Sequence, residues 1–210
     1  PETHRRAPSA FRFSRLFGDF AALLRDRNFV TCGGAICFNT AMFYCFVIGG
    51  PYIGIEILKM SPTSYGLWFS TVALGYALGN WSAARVSGRY SPRGIILTGS
   101  LAVAVLIVML LLLFGTGVAA PAPMFALVAA ITFSSGLVMP QALAGALRTD
   151  PSKAGSASGL IGFTQFAFAA AFSYVGGVAI EGSASAIPLF AVMMANALMG
   201  IACVVLMPKS

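Results

Sequence analysis

Charge is what this sequence has little of. Of its 210 residues only 9% are Asp, Glu, Lys or Arg, against 58% hydrophobic residues and a mean hydropathy of +0.86. A soluble domain carries about 25% charged residues. So little charge cannot cover a water-facing surface, which excludes an ordinary soluble domain and points to the bilayer as solvent. Acids are the scarcer sign, with six in the chain. All six (Glu2, Asp19, Asp26, Glu56, Asp150, Glu181) fall in loops or at the edges of apolar runs. A charge at the bilayer centre costs about 2.5–3.5 kcal/mol on insertion scales, so an embedded acid marks an ion or proton path. Without one, the chain is not expected to run a proton cycle by itself.

Histidine is nearly missing, with His4 alone in the basic leading segment. Ala157-Ser158-Gly159 resembles a fragment of a serine-protease turn, but no embedded His stands by to activate Ser158. An enzyme is therefore not expected. Cys32, Cys37, Cys45 and Cys203 form no CxxC pair and lie far from His4. That spacing argues against a zinc site or a disulfide framework and leaves the thiols as small packing residues. No cofactor and no metal are expected. Net charge is +7, yet the basic residues gather at the edges of apolar runs rather than on one folded face, so nucleic acid is not an expected partner.

What is present is a series of long apolar runs. Residues 1–28 are polar and basic, and residues 29–210 read as a six-helix transmembrane domain. The spans are expected at about Phe29–Gly54, Tyr65–Ala84, Gly94–Val118, Met124–Leu147, Ala154–Ile180 and Ala186–Met207. Gly49-Gly50-Pro51 predicts a kink or break near the end of the first. Ser61-Pro62-Thr63-Ser64 reads as a helix start, and Ser91-Pro92 as a turn. Before the first span, Phe13, Leu16, Phe17, Phe20 and Leu24 recur at helical spacing, with Arg12, Arg15, Asp19 and Asp26 opposite. This predicts an amphipathic helix on the membrane surface. The chain opens Pro1-Glu2-Thr3, with no Met and no signal-peptide pattern, and so reads as part of a longer protein.

The loops divide by charge. Six basic residues precede the first span, Arg85, Arg89 and Arg93 follow the second, Arg148 and Lys153 the fourth, and Lys209 the sixth. Lys59 alone falls on the other side. Basic loops stay cytoplasmic, so both ends are expected there, as an even number of spans requires.

The embedded polar residues are neutral: Asn39, Thr40, Tyr76, Asn80, Gln141, Gln165 and Asn196. Each needs a partner on another helix or a wet cavity. Asn39 has Phe43 one turn on, and Gln165 has Phe168 and Phe172 on its face. Amides beside aromatics suit an amphiphilic organic ligand, although the Phe stripe alone equally suits lipid contact or packing. Gly75-Tyr76-Ala77-Leu78-Gly79 and Gly155-Ser156-Ala157-Ser158-Gly159 match GxxxG, which allows close helix approach.

Three stretches resemble the carboxy-terminal half of a major facilitator superfamily transporter of the Bcr/CflA drug-resistance type. Lys153-Ala154-Gly155-Ser156-Ala157-Ser158-Gly159-Leu160-Ile161-Gly162-Phe163-Thr164-Gln165 resembles the start of its eleventh helix. Gly136-Leu137-Val138-Met139-Pro140-Gln141-Ala142-Leu143-Ala144 resembles its tenth, where Asn is common at the position of Gln141. Gly79 to Arg93 resembles a degenerate copy of its loop motif, lacking the acidic residue. Pro1-Glu2-Thr3 resembles the end of the sixth helix. The resemblance implies an all-α membrane protein, with helices seven to twelve of twelve in this chain. Helices seven, eight, ten and eleven would line a cavity, with nine and twelve outside. It implies export of small organic compounds by alternating access, with proton-coupled antiport, in the bacterial inner membrane. It implies as partners the lipid bilayer and the amino-terminal six-helix half of the same transporter. Substrate would meet Asn39, Phe43, Gln141, Gln165 and Phe168, while Arg85, Arg89 and Arg93 would anchor the cytoplasmic loop and help gate it. The alternatives are a non-transporting membrane module or fragment, or a permease for sugars or other metabolites.

The charge division carries a direct test. Reporter tags on the two ends of the chain should both report the cytoplasm, and opposite compartments would overturn the expected topology.

Overall fold

The computed structural model describes residues 13–208. Pro1 to Thr3, His4, Arg5, Arg6, Arg12 and Lys209, used in the readings above, lie outside the described residues. The described chain is helical almost throughout: α1 Phe13–Arg25, α2 Arg27–Pro51, α3 Pro62–Val86, α4 Pro92–Gly115, α5 Pro121–Leu147, α6 Ala154–Ile180 and α7 Ile187–Val205.

The helix starts follow from local chemistry. The first N–H groups of a helix lack intrahelical acceptors, so a capping side chain there stabilises the start by about 1 kcal/mol. Asp26 Oδ1 accepts from Phe29 N at 2.8 Å, Ser61 Oγ from Ser64 N at 3.2 Å and Ser91 Oγ from Gly94 N at 3.2 Å. Pro62, Pro92 and Pro121 then open α3, α4 and α5, where a missing N–H is harmless. The expected break at Gly49-Gly50-Pro51 takes a milder form. α2 runs through Pro51 and then widens into a π-helical turn, Tyr52–Ile57, in which Leu58 N–H reaches back five residues to Ile53 O. Between α5 and α6, Asp150 Oδ1 accepts from Ser152 N at 3.0 Å and Ser152 Oγ at 2.6 Å, and Lys153 Nζ lies 2.9 Å from Oδ2. The Ser152 hydroxyl and then the Lys153 ammonium hold the Asp150 carboxyl down at about 2. Its hold on the turn is present above the ordinary carboxylate range and is lost as pH falls through about 2.

Five of the helices are long and apolar enough to cross a membrane: α2 with its π-helical extension, α4, α5, α6 with the turn before it, and α7. The chain is an all-α membrane protein. α3 has comparable length, 25 residues, but it is less apolar than the other five. Ser70, Thr71, Tyr76, Asn80 and Arg85 dilute it.

α2 packs chiefly on α6, and α3 on α5. α4 and α7 close the bundle behind them, α4 on α5 and α7 on α2. Two apolar cores result. One joins Phe46, Ile107, Phe125, Leu189 and Phe190 toward the end where α3, α5 and α7 begin. The other joins Leu23, Phe29, Ile96, Val138 and Ile161 at the opposite, basic end. α1 reaches that second core through Leu23, which is 2% exposed, and Asp19 Oδ2 accepts from Ser156 Oγ at 3.2 Å. Of the predicted apolar face, Phe17 and Leu24 are exposed. The seating face is rotated from the predicted one by about one residue, because Leu23 rather than Leu24 lies one turn after Asp19.

The α3–α5 seam depends on glycine. A methyl at Gly136 would stand 2.6 Å from Tyr76 O and 2.8 Å from Asn80 N, and methyls at Gly75 and Gly79 would strike the carbonyls of Ala129 and Phe133. Thr132 Oγ1 donates to Val72 O at 2.8 Å across the same seam. The second GxxxG stretch does not act this way, since Gly155 and Gly159 meet nothing within 4 Å. Overpacking a tight seam costs about 1–3 kcal/mol. Gly136→Val should therefore lower the unfolding midpoint in detergent, whereas Gly66→Ala, with open space at its Cβ, should leave it unchanged or slightly raised.

Candidate functional site

Two helix pairs, α2 with α6 and α3 with α5, leave a cleft between them. Its first part has a volume of about 360 Å³ and is lined by Asn39, Thr40, Phe43 and Tyr44 of α2, Val72, Ala73 and Tyr76 of α3, Thr132, Ser135 and Met139 of α5, and Gln165 and Phe166 of α6. A second part, also about 360 Å³, continues along it past Ile36, Asn80, Pro140, Leu143, Ser158, Ile161 and Gly162. Tyr76, Met139 and Gln165 border both parts. No residue of α4 or α7 lines either part.

Helical spacing explains the lining. Residues three and four apart share a face. Tyr76 and Asn80 do so on α3, Thr132, Ser135 and Met139 on α5, and Ser158, Gly162 and Gln165 on α6. The walls mix aromatic surface with unspent hydrogen-bonding capacity. Phe43 and Tyr44 meet edge to face at 5.7 Å, and Tyr44 reaches Phe166 across the α2–α6 seam at 6.1 Å. Thr40 Oγ1 and Ser135 Oγ are buried with no hydrogen-bond partner among the described residues. A buried polar group left unpaired costs about 1–3 kcal/mol, so each hydroxyl would gain from a polar ligand. Among the described residues no Asp, Glu, His, Lys or Arg lines the cleft. It can therefore bind by shape, aromatic contact and neutral hydrogen bonds.

Of the residues singled out from the sequence, the structure brings Asn39, Phe43 and Gln165 together in the cleft. Gln141 and Phe168 lie elsewhere. Gln141 follows Met139 by two residues, a rotation of about 200°, and lines a separate pocket at the basic end. Phe168, one turn after Gln165, does not line the cleft and packs on Phe38 at 5.3 Å and Phe172 at 6.2 Å. The three loop arginines part company as well. Arg85 lies over the Trp81 ring at 3.2 Å, Arg93 donates to Val205 O at 3.0 Å and ties the start of α4 to the end of α7, and Arg89 is exposed. Sequence reasoning did not assign Thr40, Tyr44, Tyr76, Ser135 or Phe166 to a site. The available signal was the shared helical face of Tyr76 with Asn80 and of Thr132 with Ser135.

No family model matches the chain. The chain is similar to a protein of Bacillus subtilis (strain 168) described as an uncharacterized MFS-type transporter, YdgK. The two are 24% identical over 186 residues, which cover 85% of this chain and 44% of the relative. The chain thus spans less than half the length of the curated relative it matches. This distant similarity supports the major facilitator superfamily.

An open cleft has a chemical signature. In a background with the four native cysteines replaced, Gln165→Cys should react readily with a small hydrophilic thiol reagent. Asn196→Cys, at a position that is 0% exposed, should react about tenfold more slowly or worse, because a buried thiol waits on local opening.

Proposed function

We propose that this chain is the carboxy-terminal six-helix half of a twelve-helix secondary transporter of the Bcr/CflA drug-resistance type, which exports small organic compounds by alternating access. The observation that carries the reading is the cleft itself. Four helices, α2, α3, α5 and α6, surround a groove of amides, hydroxyls and aromatic rings, while α4 and α7 stand behind. α3 brings the five apolar helices to six spans in this reading. Its polar and aromatic side chains suit a helix that faces a cavity on one side, where a uniformly apolar surface is not needed.

The amino-terminal half would complete the cleft. α3 and α6 leave large side chains exposed, among them Leu67, Leu74, Trp81, Phe163, Phe166 and Tyr174. Gly155 and Gly159 also open onto free space, as a second half packing on α6 would require. Substrate would lie between the halves and be held by Asn39, Phe43 and Gln165, with Gln141 and Phe168 outside direct contact. The halves would rock about it and open it to one side at a time. Proton coupling would draw its titratable groups from the other half, because of the described acids Asp19 lies in α1, before the spans, and Asp26, Glu56, Asp150 and Glu181 lie at helix ends or in loops. Both ends of the chain would be cytoplasmic, in a bacterial inner membrane.

Each hydrogen bond removed from the ligand is worth about 0.5–1.5 kcal/mol, or about two- to tenfold in affinity. In the full-length protein, Asn39→Ala and Gln165→Ala should shift the range of compounds exported by such factors while expression holds. Unchanged efflux in both would remove these residues from the site. A full-length gene with no further spans and no embedded acid would defeat the half-transporter reading.

A further inference from the structure

The basic end of the bundle holds a pocket that the transport reading does not use. It has a volume of about 750 Å³ and lies among the starts of α2 and α4 and the ends of α5 and α7. Its floor is apolar, formed by residues such as Ile96 and Met207, and its polar lining includes Asn28, Tyr90, Arg93, Gln141 and Arg148. Among the described residues no acidic one lines it.

Three observations bear on what it takes. First, Gln141 is 7% exposed and borders this pocket. The hydrogen bonds around it belong to others: Asn28 Nδ2 donates to Gly145 O at 3.0 Å and to Thr149 Oγ1 at 3.1 Å. The Gln141 amide makes no side-chain hydrogen bond among the described residues and borders the open pocket, so its two donors are available to a ligand there. Second, two guanidinium groups line the same space. Arg93 is steadied by its bond to Val205 O, and Arg148 caps α5. The ion pair among the described residues is Lys153 with Asp150, so neither arginine is neutralised by a described residue. Third, Pro92 and Arg93 place the start of the 24-residue helix α4 at the pocket wall, with the ends of α5 and α7 there as well, so the sign of the site is set by its two arginines rather than by the helix ends.

Donors converge here without acceptors of negative charge, above an apolar floor and at the end of the spans. We propose that this pocket binds a phosphoryl anion: a phosphate group, presented either by an anionic glycerophospholipid headgroup or by a free phosphate compound. Two arginines supply charge-assisted hydrogen bonds with guanidinium fork geometry, the Gln141 amide supplies a neutral donor from below, and the apolar floor accommodates glycerol or acyl carbons. The site depends on the membrane reading of the chain and not on what is transported.

The test is thermal unfolding of the full chain in a neutral detergent. The added probes are dioctanoyl phosphatidylglycerol, dioctanoyl phosphatidylcholine and inorganic phosphate. Phosphatidylglycerol should raise the midpoint at lower concentration than phosphatidylcholine. Arg148→Gln, at an exposed position, and Gln141→Glu, which keeps the side chain's shape and sets a carboxyl against the anion, should each weaken that response about tenfold. A response to phosphatidylglycerol alone, lost in the variants, identifies the lipid headgroup as the source. A matching response to inorganic phosphate, lost in the same variants, identifies a free phosphate site. No response to either anion, or a response that both variants retain, overturns the proposal. If Gln141→Glu does not fold, Arg148→Gln alone decides.

Discussion

Hydrocarbon offers no hydrogen bonds, and the rest of this structure answers to that constraint. Inside a bilayer each backbone N–H and C=O must be satisfied by the protein, so the chain has little choice but helix. The constraint relaxes only at the ends, and the sequence spends its polar residues there. Asp26, Ser61 and Ser91 cap helix starts, and prolines occupy the first positions where an absent N–H does no harm. Where Pro51 falls late in a helix instead, the backbone remains paired by widening to a π-helical turn. The same constraint makes an unpaired hydroxyl inside the bundle informative. Thr40 and Ser135 keep unpaired hydroxyls at the cleft wall, where the bundle opens.

Cleft geometry then follows from two unequal seams. Between α3 and α5, Gly75, Gly79 and Gly136 bring the backbones together, and Thr132 crosses to Val72 O. Between α2 and α6 the contacts are made by larger side chains, with Phe38 against Phe168 and Tyr44 against Phe166, alongside the Cys45 thiol donating to Phe172 O at 3.1 Å. A rigid backbone seam on one wall and an aromatic seam on the other leave the space between for neutral polar groups. Such a wall can accept different organic shapes, since aromatic contact and amide hydrogen bonds tolerate reorientation better than fixed ion pairs do.

Much of the fold was legible because its signals are local. Ala154–Ile180 follows from an unbroken apolar run bounded by Lys153 and Glu181 and matches α6. Ser61 and Pro62 mark the start of α3 from four letters of sequence. The cleft was legible in part. Asn39, Phe43 and Gln165 stand out as amides and rings on adjacent turns. Gln141 carries the same chemistry on a face that points elsewhere, Phe168 shares the side of Gln165 but packs on Phe38 and Phe172 instead, and composition cannot distinguish the faces of a helix that is apolar nearly all round. α1 shows the same weakness: its periodicity is visible, but Leu23, the residue that seats it, lies one position from the predicted stripe. Gly155 and Gly159 have the spacing of a packing motif and no described neighbour, because spacing reports what a helix could approach and not what it meets.

The rear helices also reach the cleft indirectly. Asn39 faces the cleft and at the same time borders a second, much smaller cavity of about 10 Å³, shared with Ser100 of α4 and Asn196 of α7. That volume is about the size of one water molecule. Asn196 is 0% exposed, and its Nδ2 donates to Val192 O at 2.9 Å, while its Oδ1 has no described partner. Three neutral polar groups from three helices thus converge behind one wall residue in an otherwise apolar interior. Asn39 thus borders both the cleft and a small cavity shared with the two rear helices, although neither rear helix lines the cleft.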